Sequence, residues 1–448
     1  MTDSDSPEAE VTDLLQSLIR NACVNDGTAE SGQEARSVDL LRDYLEGPGL
    51  DLETFEPSPG RVSLVARIEG RPGSERPTVL LMGHTDVVPA NPDGWQRDPF
   101  GGELVDGEVW GRGAVDMLNL TASMAVAVRR LARSGFAPDG GLVYLAVADE
   151  EALGTHGAAW LTGHEPDAVR ADYVVTESGG TPIRTASGTR LPVSVAEKGT
   201  YWCHLTVRGT PGHASQPLRT DNALVKAAEV VLRLARLRPP ASIHDVWRRY
   251  VTGLELGPEV TAALLDPARV WETCQSLPSL GLARHAHACT HTTFAPTVAR
   301  GGTKTNVIPD RVDLQVDIRT LPGQTGEEVR AMLVEALGDL AGGVEIVAES
   351  EDLPSASPLD NPLLDALERA SARFHPGATL LPSLTVGATD ARFFRRMGVP
   401  AYGFGLFSTR MSYDQYTAMF HGDDERVDVE SLSLSTQLWE AVARDVVG

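Results

Sequence analysis

The sequence predicts an α/β fold, in which a mixed sheet flanked by helices is interrupted by a smaller inserted α+β domain. Three observations support this prediction. The chain has 448 residues, too many for one ordinary hydrophobic core, so two domains are expected. Short apolar runs alternate with helical patterns in both outer parts of the chain, which indicates a sheet covered on both faces. In the middle, half-exposed strands replace the fully apolar ones.

The outer parts of the chain share one pattern, in which runs of strand length follow segments with helical spacing. In the first part this predicts helices at 8–20, 34–46, 116–133 and 154–163, and strands at 62–68, 78–82, 141–148 and 171–176. The pattern returns after residue 354, with helices at 363–374, 390–397 and 429–446 and a strand at 400–404. We therefore expect residues 1–197 and 354–448 to form one domain.

The middle part, residues 198–353, has the order of a split β-α-β unit. The predicted strands are 201–208, 292–299, 312–318 and 344–348, and the predicted helices are 222–237 and 327–341. This order predicts an inserted ferredoxin-like domain. The stretch from 239 to 290 carries Trp247, Tyr250 and Trp271 with several prolines, and we interpret it as a helical excursion.

Composition excludes several kinds of partner. Hydrophobic residues make up 42% and charged residues 23% of the chain, as in soluble globular proteins. The net charge of −23 argues against nucleic-acid and membrane partners. Residues Met1–Glu10 lack the features of a signal peptide, and no apolar run reaches the roughly 18 residues of a membrane helix. Four cysteines without CxxC spacing argue against a disulfide framework, so the cytoplasm is the expected location.

Histidine and acidic residues follow the ends of the predicted strands. His84 leaves one strand, and Asp86 is placed two residues later to orient its imidazole. The acids 149–151 follow a second strand, and Glu177 follows a third. Neighbouring carboxylates repel one another, more strongly when they are buried. They must therefore be solvated or held by cations.

Each of these residues also has an ordinary structural explanation. Asp86 can cap a turn beside a core histidine, and the acids 149–151 can form a solvated turn. Asp116 follows a glycine-rich turn and can cap a helix, and His421 can be a loop histidine. Taken together, however, imidazole and carboxylate groups without thiolate, one bridging acid and a separate base describe a two-metal hydrolytic site.

Seven motifs carry a family resemblance. In chain order they are GHTDVVP, GRGAVDM, ADEEALGTHG, TESGG, GTPGHAS, NVIP and HGDDE. They resemble the motifs of the co-catalytic zinc peptidases of the aminoacylase, carboxypeptidase G2 and succinyl-diaminopimelate desuccinylase superfamily, the M20 peptidases. The resemblance spans about residues 10 to 445. It implies a zinc-peptidase-type catalytic domain, an inserted lid domain that also serves dimerisation, and a homodimer.

The resemblance also implies the metal ligands. His84 and Glu177 bind one Zn²⁺, Glu151 and His421 bind the other, and Asp116 bridges both. Carboxylate-rich sites also accept Co²⁺ or Mn²⁺. The implied activity is hydrolysis of an amide bond adjacent to a free carboxylate, in a dipeptide, an N-acyl amino acid or a peptide C-terminus. The alternative is a catalytically inactive binding or scaffold protein with the same fold.

The remaining site residues are also implied by the resemblance. Asp86 orients His84, and Glu150 is the general base for a metal-bound hydroxide. His213 is an oxyanion donor, or alternatively a turn histidine. Asn306 and Arg319 grip the substrate carboxylate, although Arg319 can instead form a strand-end salt bridge. Gly387 and Thr389 belong to a substrate-side loop, and Lys198 fits a hinge.

Two further histidine features are expected to be structural. His285, His287, Cys289 and His291 alternate with small residues. On a strand they would share one face, so a metal site is geometrically possible. The matching stretch in the resembled family is an ordinary strand, however, and we expect no site there. His156 is predicted to lie on a helix face.

Overall fold

A computed structural model of the chain describes residues 7–448. The expectation that there is no signal peptide concerns Met1–Glu10, and residues 1–6 lie outside the described part. Within the described part, no helix is both long and apolar enough to cross a membrane. The four cysteines are all buried free thiols.

Contacts divide the chain into two compact units. The first contains the described residues up to Val195, Ser357–Ser383 and Thr389–Gly448. The second contains Ala196–Ala356 and Leu384–Ala388. The sequence assigned residues 1–197 and 354–448 to the first domain, whereas the contacts assign residues 196–197, 354–356 and 384–388 to the second unit.

The chain begins with alternating helices and strands. The elements up to residue 176 are α1 (Pro7–Asn21), α2 (Ala35–Leu45), β1 (Asp51–Ser58), β2 (Arg61–Ile68), β3 (Val79–His84), β4 (Glu103–Val105), β5 (Glu108–Trp110), α3 (Leu118–Arg133), β6 (Leu142–Val147), α4 (Ala158–His164) and β7 (Tyr173–Thr176). Strands β1, β4 and β5 were missed. All residues of β1 are exposed or half-exposed, so it lacks the apolar run on which the prediction depended.

The middle of the chain contains longer strands and the helical excursion. Its elements are β8 (Ile183–Thr185), β9 (Gly188–Glu197), β10 (Gly199–Arg208), β11 (Gly212–His213), α5 (Ala223–Arg236), α6 (Asp245–Gly253), α7 (Pro258–Leu264), α8 (Val270–Ser276), α9 (Leu280–Thr290), β12 (Thr293–Gly301), β13 (Val307–Ile308), β14 (Arg311–Thr320), α10 (Gly326–Leu337) and β15 (Val344–Asp352). Helices α6 to α9 occupy the segment between 239 and 290.

The last part returns to the alternating pattern. Its elements are β16 (Ser355–Ala356), α11 (Pro362–Ser371), β17 (Thr379–Thr385), α12 (Ala391–Arg396), β18 (Ala401–Gly403), α13 (Tyr413–Met419), β19 (Arg426–Asp428) and α14 (Val429–Val446). Helix α14 begins after Asp428, whose carboxylate accepts from the backbone N–H of Ser431 at 2.9 Å and so caps the helix.

The first unit is built on a mixed sheet, which confirms the predicted fold class. Its strands follow the order β1-β2-β6-β3-β7-β18-β9. The strands β6, β3, β7 and β18 are mutually parallel, whereas β1, β2 and β9 pair with their neighbours in the antiparallel direction. Every residue of β3 and β6 is buried. Since successive side chains point to opposite faces, both faces of the sheet are covered.

The second unit contains a four-stranded antiparallel sheet in the order β12-β14-β10-β15. Side chains of β14 alternate between buried and partly exposed positions, so one face of the sheet is buried. Helices α5 and α10 contribute Val230 and Leu333 to the same core as Leu205 and Val316. This order is that of a split β-α-β unit.

Two local predictions are wrong. Residues 285–290 belong to helix α9, as the helical excursion over 239–290 predicted, and not to a strand on which the alternating histidines would share one face. His291 follows the last residue of this helix. Alanine alternates with histidine here and is the best helix former, so a period of two did not indicate a strand. His156 lies in a turn before α4 rather than on a helix face, where its backbone N–H donates to Asp149 Oδ2 at 2.8 Å.

Candidate metal centre

Three adjacent strands bring the predicted ligands to one edge of the sheet. Strand β3 is parallel to both β6 and β7 and lies between them. The carboxyl ends of parallel strands meet at the same edge, where α/β proteins bind ligands. His84 is the last residue of β3, Glu150 and Glu151 follow β6, and Glu177 follows β7.

Two triads of ligand atoms share Asp116. Atoms of His84, Asp116 and Glu177 lie within 4.8 Å of one another, and so do atoms of Asp116, Glu151 and His421. The two carboxylate oxygens of Asp116 face different histidines. Oδ1 lies 3.3 Å from His84 Nε2, and Oδ2 lies 3.3 Å from His421 Nε2. One carboxylate between two ligand sets is the arrangement that a bridging ligand requires.

Glu150 lies beside the triads without belonging to either. Its carboxylate, with ligand atoms of His84 and Glu151, forms a third group within 4.8 Å. Asp149, the residue before it, has a left-handed backbone conformation with φ of 70°, which aspartate tolerates better than most residues. The chain therefore turns sharply after β6 and separates the neighbouring acids.

Asp86 contacts His84 mainly through its backbone. His84 Nδ1 lies 2.9 Å from the carbonyl oxygen of Asp86 and 3.6 Å from its Oδ1. A carbonyl only accepts, so Nδ1 carries the proton and Nε2 presents its lone pair to the site. The Asp86 carboxylate accepts from the backbone N–H of Glu150 at 3.3 Å and of Glu151 at 3.1 Å.

Glu425 shapes the turn that presents Asp116. Its carboxylate accepts from the backbone N–H groups of Gly113, Val115 and Asp116 at 3.1, 2.6 and 2.9 Å. It also pairs with Arg112 at 2.9 Å. Helix α3 begins only at Leu118, so the helix-cap interpretation of Asp116 does not hold.

The charges of the centre perturb one another strongly. Hydrogen bonds to Asp116 and Glu151 raise the pKa of His421 to about 10. Burial raises the pKa of Glu150 and of Glu177 well above the usual carboxyl range, and neighbouring carboxylates add to the increase. The pKa of Asp116 is shifted in the opposite direction: against the effect of burial, the neighbouring imidazoles of His421 and His84 hold it below the usual range. The carboxylates of the centre therefore carry more negative charge than its two histidines can neutralise.

The donor set fits divalent cations. Glu151 Oε1 is buried and has no hydrogen-bond partner among the described residues, although buried oxygens are nearly always paired. Imidazole nitrogen and carboxylate oxygen suit zinc, cobalt or manganese. A cation would supply both the missing partner and the missing positive charge.

The other predicted site residues belong mostly to the second unit. Strand β11 pairs with β13, so that His213 lies opposite Val307, and the carbonyl of Asn306 accepts from the N–H of Ala214 at 3.1 Å. The two motifs that carry His213 and Asn306 are thus brought together. His213 Nδ1 accepts from the N–H of Ser215 at 3.2 Å, so in the neutral ring Nε2 carries the proton.

Arg319 forms the strand-end salt bridge that was its alternative interpretation. Its Nε and Nη2 donate to Asp317 at 2.8 and 3.0 Å, and Nη1 donates to Thr200 Oγ1 at 3.0 Å. Gly387 lies in the second unit, whereas Thr389 is buried in the first. Thr389 Oγ1 accepts from the N–H of Ala391 at 3.2 Å.

Sequence reasoning missed two acids near the centre. Glu425 was quoted in a motif but given no role, and its spacing from His421 was the available signal. Asp390 is buried with both carboxylate oxygens unpartnered among the described residues, and burial raises its pKa to about 7. A Cβ added at Gly154 would collide with Asp390 Oδ1, so the carboxylate touches the loop that follows Glu150 and Glu151.

Comparison with known proteins identifies relatives over most of the chain. The family model described as Peptidase family M20/M25/M40 matches residues 80–445. A succinyl-diaminopimelate desuccinylase of Cereibacter sphaeroides is 29% identical over 424 residues, covering 92% of this chain and 94% of that protein. The N-fatty-acyl-amino acid synthase/hydrolase PM20D1 of Xenopus tropicalis is 28% identical over 391 residues, covering 85% and 74%.

A solved structure shares the fold. The M20 family metallo-carboxypeptidase Sso-CP2 of Sulfolobus solfataricus superposes with a TM-score of 0.72 over 99% of each chain, at 15% sequence identity. At this identity the similarity concerns the fold alone.

Proposed function

The chain belongs to peptidase family M20/M25/M40, and from this premise we propose that it hydrolyses an amide bond adjacent to a free carboxylate. It is an amide-bond hydrolase of this family. The proposed substrates are small molecules, namely dipeptides, N-acyl amino acids or peptide C-termini. The names of the desuccinylase and of the N-fatty-acyl-amino acid hydrolase support the N-acyl amino acids.

We assign the two triads to two divalent cations. His84, Asp116 and Glu177 would hold one cation, and Asp116, Glu151 and His421 would hold the other, with zinc as the expected metal. When bound, these cations supply Lewis acidity toward the scissile carbonyl and lower the pKa of water. Asp86 keeps the proton of His84 on Nδ1 and thereby leaves Nε2 available as a ligand atom.

Glu150 is the proposed general base. It takes a proton from the attacking water and later delivers it to the leaving amine. Two features support this role: Glu150 lies beside the ligand atoms of His84 and Glu151 without completing either triad, and burial raises its pKa. A raised pKa makes a carboxylate a stronger proton acceptor.

Four residues of the second unit, together with Thr389 of the first, are proposed to bind the substrate. His213 would donate from Nε2 to the developing oxyanion. Asn306 would bind the substrate carboxylate. Arg319 would bind the same carboxylate after releasing Asp317. Gly387 and Thr389 would line the substrate-side loop. The lid role of this unit, the homodimer and the cytoplasmic location stay predictions from the sequence.

One observation carries this proposal: two ligand triads share Asp116 while Glu150 lies next to both. Its test is Glu150→Gln, assayed on a panel of dipeptides and N-acyl amino acids. We expect kcat to fall by about 10²–10⁴-fold, the usual contribution of a general base. The metal content should stay at that of the wild type, because Glu150 is not assigned as a ligand.

The matched control is Glu165→Gln, which replaces an exposed glutamate after α4 and should leave kcat unchanged. If Glu150→Gln kept wild-type kcat, the assignment of the base would be wrong. If the metal-loaded wild type hydrolysed nothing on the panel in a chelator-sensitive way, the proposed activity would be wrong as well.

A further inference from the structure

A side chain from the N-terminal part of the chain joins two buried carboxylates behind the metal centre. Asn25 is 2% exposed. Its Nδ2 donates to Asp86 Oδ2 at 2.8 Å and to Asp149 Oδ1 at 3.2 Å. Both N–H bonds of the amide therefore meet carboxylate oxygens that would otherwise repel one another at close range.

Backbone pairing holds Asn25 next to Asp86. Val24 forms a parallel bridge with Val87. The N–H of Asn25 donates to the Val87 carbonyl at 2.9 Å, and the N–H of Val87 donates to the Cys23 carbonyl at 3.0 Å. Since Val87 directly follows Asp86, this pairing sets the distance between the amide and the carboxylate.

The orientation of the amide is also determined. Its Oδ1 accepts from Arg61 Nη2 at 3.2 Å and from the N–H of Gly27 at 3.1 Å. Arg61 is buried and pairs with Glu34 at 2.7 Å. Turning the amide over would set its N–H groups against those of Arg61 and its oxygen against the carboxylates, so only one orientation satisfies the hydrogen bonds.

Asp86 connects Asn25 to the residues of the metal centre. Its carboxylate accepts from the backbone N–H groups of Glu150 and Glu151, and its carbonyl accepts from His84 Nδ1. One residue therefore contacts the base and two ligands. A carboxylate rotated away from Asn25 would release the turn that carries Glu150 and Glu151.

We propose that Asn25 is a positioning residue of the metal centre, which fixes Asp86 and through it His84, Glu150 and Glu151. The inference rests on the proposed function, because it assumes that these residues hold cations and a proton. Asn25, Glu34 and Arg61 all precede residue 80, where the family match begins. The support therefore comes from a part of the chain that this match does not cover.

The test compares Asn25→Leu, which removes the hydrogen bonds at similar volume, with Asn25→Ser, which keeps a short donor. The matched control is Asn21→Ala. Asn21 lies four residues earlier and donates to the Arg36 carbonyl at 3.2 Å and to Ser37 Oγ at 3.3 Å. For each variant we would measure the zinc Kd by competition with a chromogenic chelator, kcat and KM separately, and the thermal midpoint.

We expect Asn25→Leu to weaken zinc binding and to lower kcat by about tenfold each, because supports of metal ligands typically contribute 10–100-fold. KM should change less than about threefold, since Asn25 does not contact the proposed substrate residues, and Asn25→Ser should recover part of both losses. A reduced thermal midpoint with unchanged Kd and kcat would show a purely structural role and overturn the proposal. If Asn25→Leu does not fold, the Kd and kcat of Asn25→Ser decide by the same criterion.

The two proposals fail in different ways. If the wild type binds zinc and hydrolyses substrate while both Asn25 variants match Asn21→Ala, only the positioning role is refuted. If the wild type binds no divalent cation, the proposed function itself fails, and the positioning role fails with it.

Discussion

Each unit contains a group of histidines, and the two groups have opposite surroundings. The first group is His84 and His421, and the second is His285, His287 and His291. In the first unit, hydrogen bonds to Asp116 and Glu151 raise the pKa of His421 to about 10. In the second unit, burial lowers the pKa of His285 and of His291 to about 4. The second group is therefore neutral near pH 7 and needs no counter-charge, whereas the first is surrounded by negative charge.

The histidines of the second unit pack on aromatic rings and on one another. His287 and His291 stack with ring centroids 5.0 Å apart, and Trp271 meets them edge-on at 5.0 and 5.3 Å. His285 lies 5.2 Å from the ring of Tyr250. Among the described residues, no candidate group of metal ligands includes these histidines. Carboxylate neighbours, rather than the number of nearby histidines, therefore distinguish the candidate metal centre.

Buried charge is also treated differently in the two units. Lys198 Nζ donates to the carbonyls of Ala288 and His291 at 2.8 and 2.7 Å, at the C-terminal end of α9, where the helix dipole favours a cation. In the first unit, Glu151 Oε1 has no hydrogen-bond partner among the described residues. The second unit thus satisfies its buried cation with its own backbone, whereas the first leaves an acceptor for a ligand. The hinge role of Lys198 stays a prediction.

The largest expected effect is that of removing Asp116, which contacts the histidines of the first unit, compared with removing one histidine of the second unit. We expect Asp116→Ala to lose bound metal and to lower kcat/KM by about 10³-fold or more, because cations contribute several kcal/mol to the transition state. His287→Ala should keep the wild-type metal content and activity within about twofold. Elemental analysis and steady-state kinetics provide both measurements. Metal loss in His287→Ala, or full metal content in Asp116→Ala, would contradict the assignment.

Removing the metal should lower the stability of the protein only through the candidate metal centre of the first unit. A chelator is expected to lower the thermal midpoint of the wild type, because a cation present at about 1,000 times its Kd adds about 4 kcal/mol of stability. Added zinc should restore the midpoint. The double variant His287→Ala/His291→Ala should show the same chelator-induced shift, measured by scanning calorimetry. A midpoint insensitive to chelator would mean that the acids of the first unit need no cation.

The smallest expected effect concerns Lys198 and pH. Burial lowers the pKa of Lys198 to about 7, whereas the unfolded value is roughly 10.4. Between these values the unfolded chain binds more protons, so this group makes stability rise with pH, by at most about 1.4 kcal/mol per unit. Lys198→Met lacks this dependence. The thermal midpoint of the wild type should therefore rise relative to that of Lys198→Met between pH 7 and pH 9.

The control for this experiment is Lys226→Met, which removes an ammonium that pairs with Asp221 at 2.7 Å. We expect a smaller stability change there, because a partly exposed ion pair contributes little. A midpoint difference between wild type and Lys198→Met that stays constant from pH 7 to pH 9 would contradict the lowered pKa of Lys198.

Much of the first unit could be predicted because its signals are local. The strands β3, β6 and β7 are continuous apolar runs, and His84, Glu150, Glu151 and Glu177 stand at or just after their ends. Parallel neighbours bring such ends together, so a linear pattern sufficed to predict a shared site. Strand β1 and helix α9 were harder, because their residues are half-exposed or fit two periodicities.

The supporting residues could not be predicted, because their partners are distant in the chain. Asn25 meets Asp149, 124 residues away, and Glu425 meets Asp116, 309 residues away. Asn25 has no local pattern that distinguishes it from an ordinary polar loop residue, and the only local signal for Glu425 is its spacing from His421. Arg319 shows the same limit, since only the structure decided between substrate binding and its pairing with Asp317.

The sequence by itself determined the alternation of helices with apolar strands, the fold class and, through ordered motifs, a set of candidate metal ligands, because apolar periodicity and ligand chemistry are properties of neighbouring residues. Only the tertiary structure decided which acids share a histidine, which histidines are merely packed on rings, and which distant side chains support the centre. The physical reason is that hydrogen bonds and charges act over a few ångströms in space, whatever the separation along the chain.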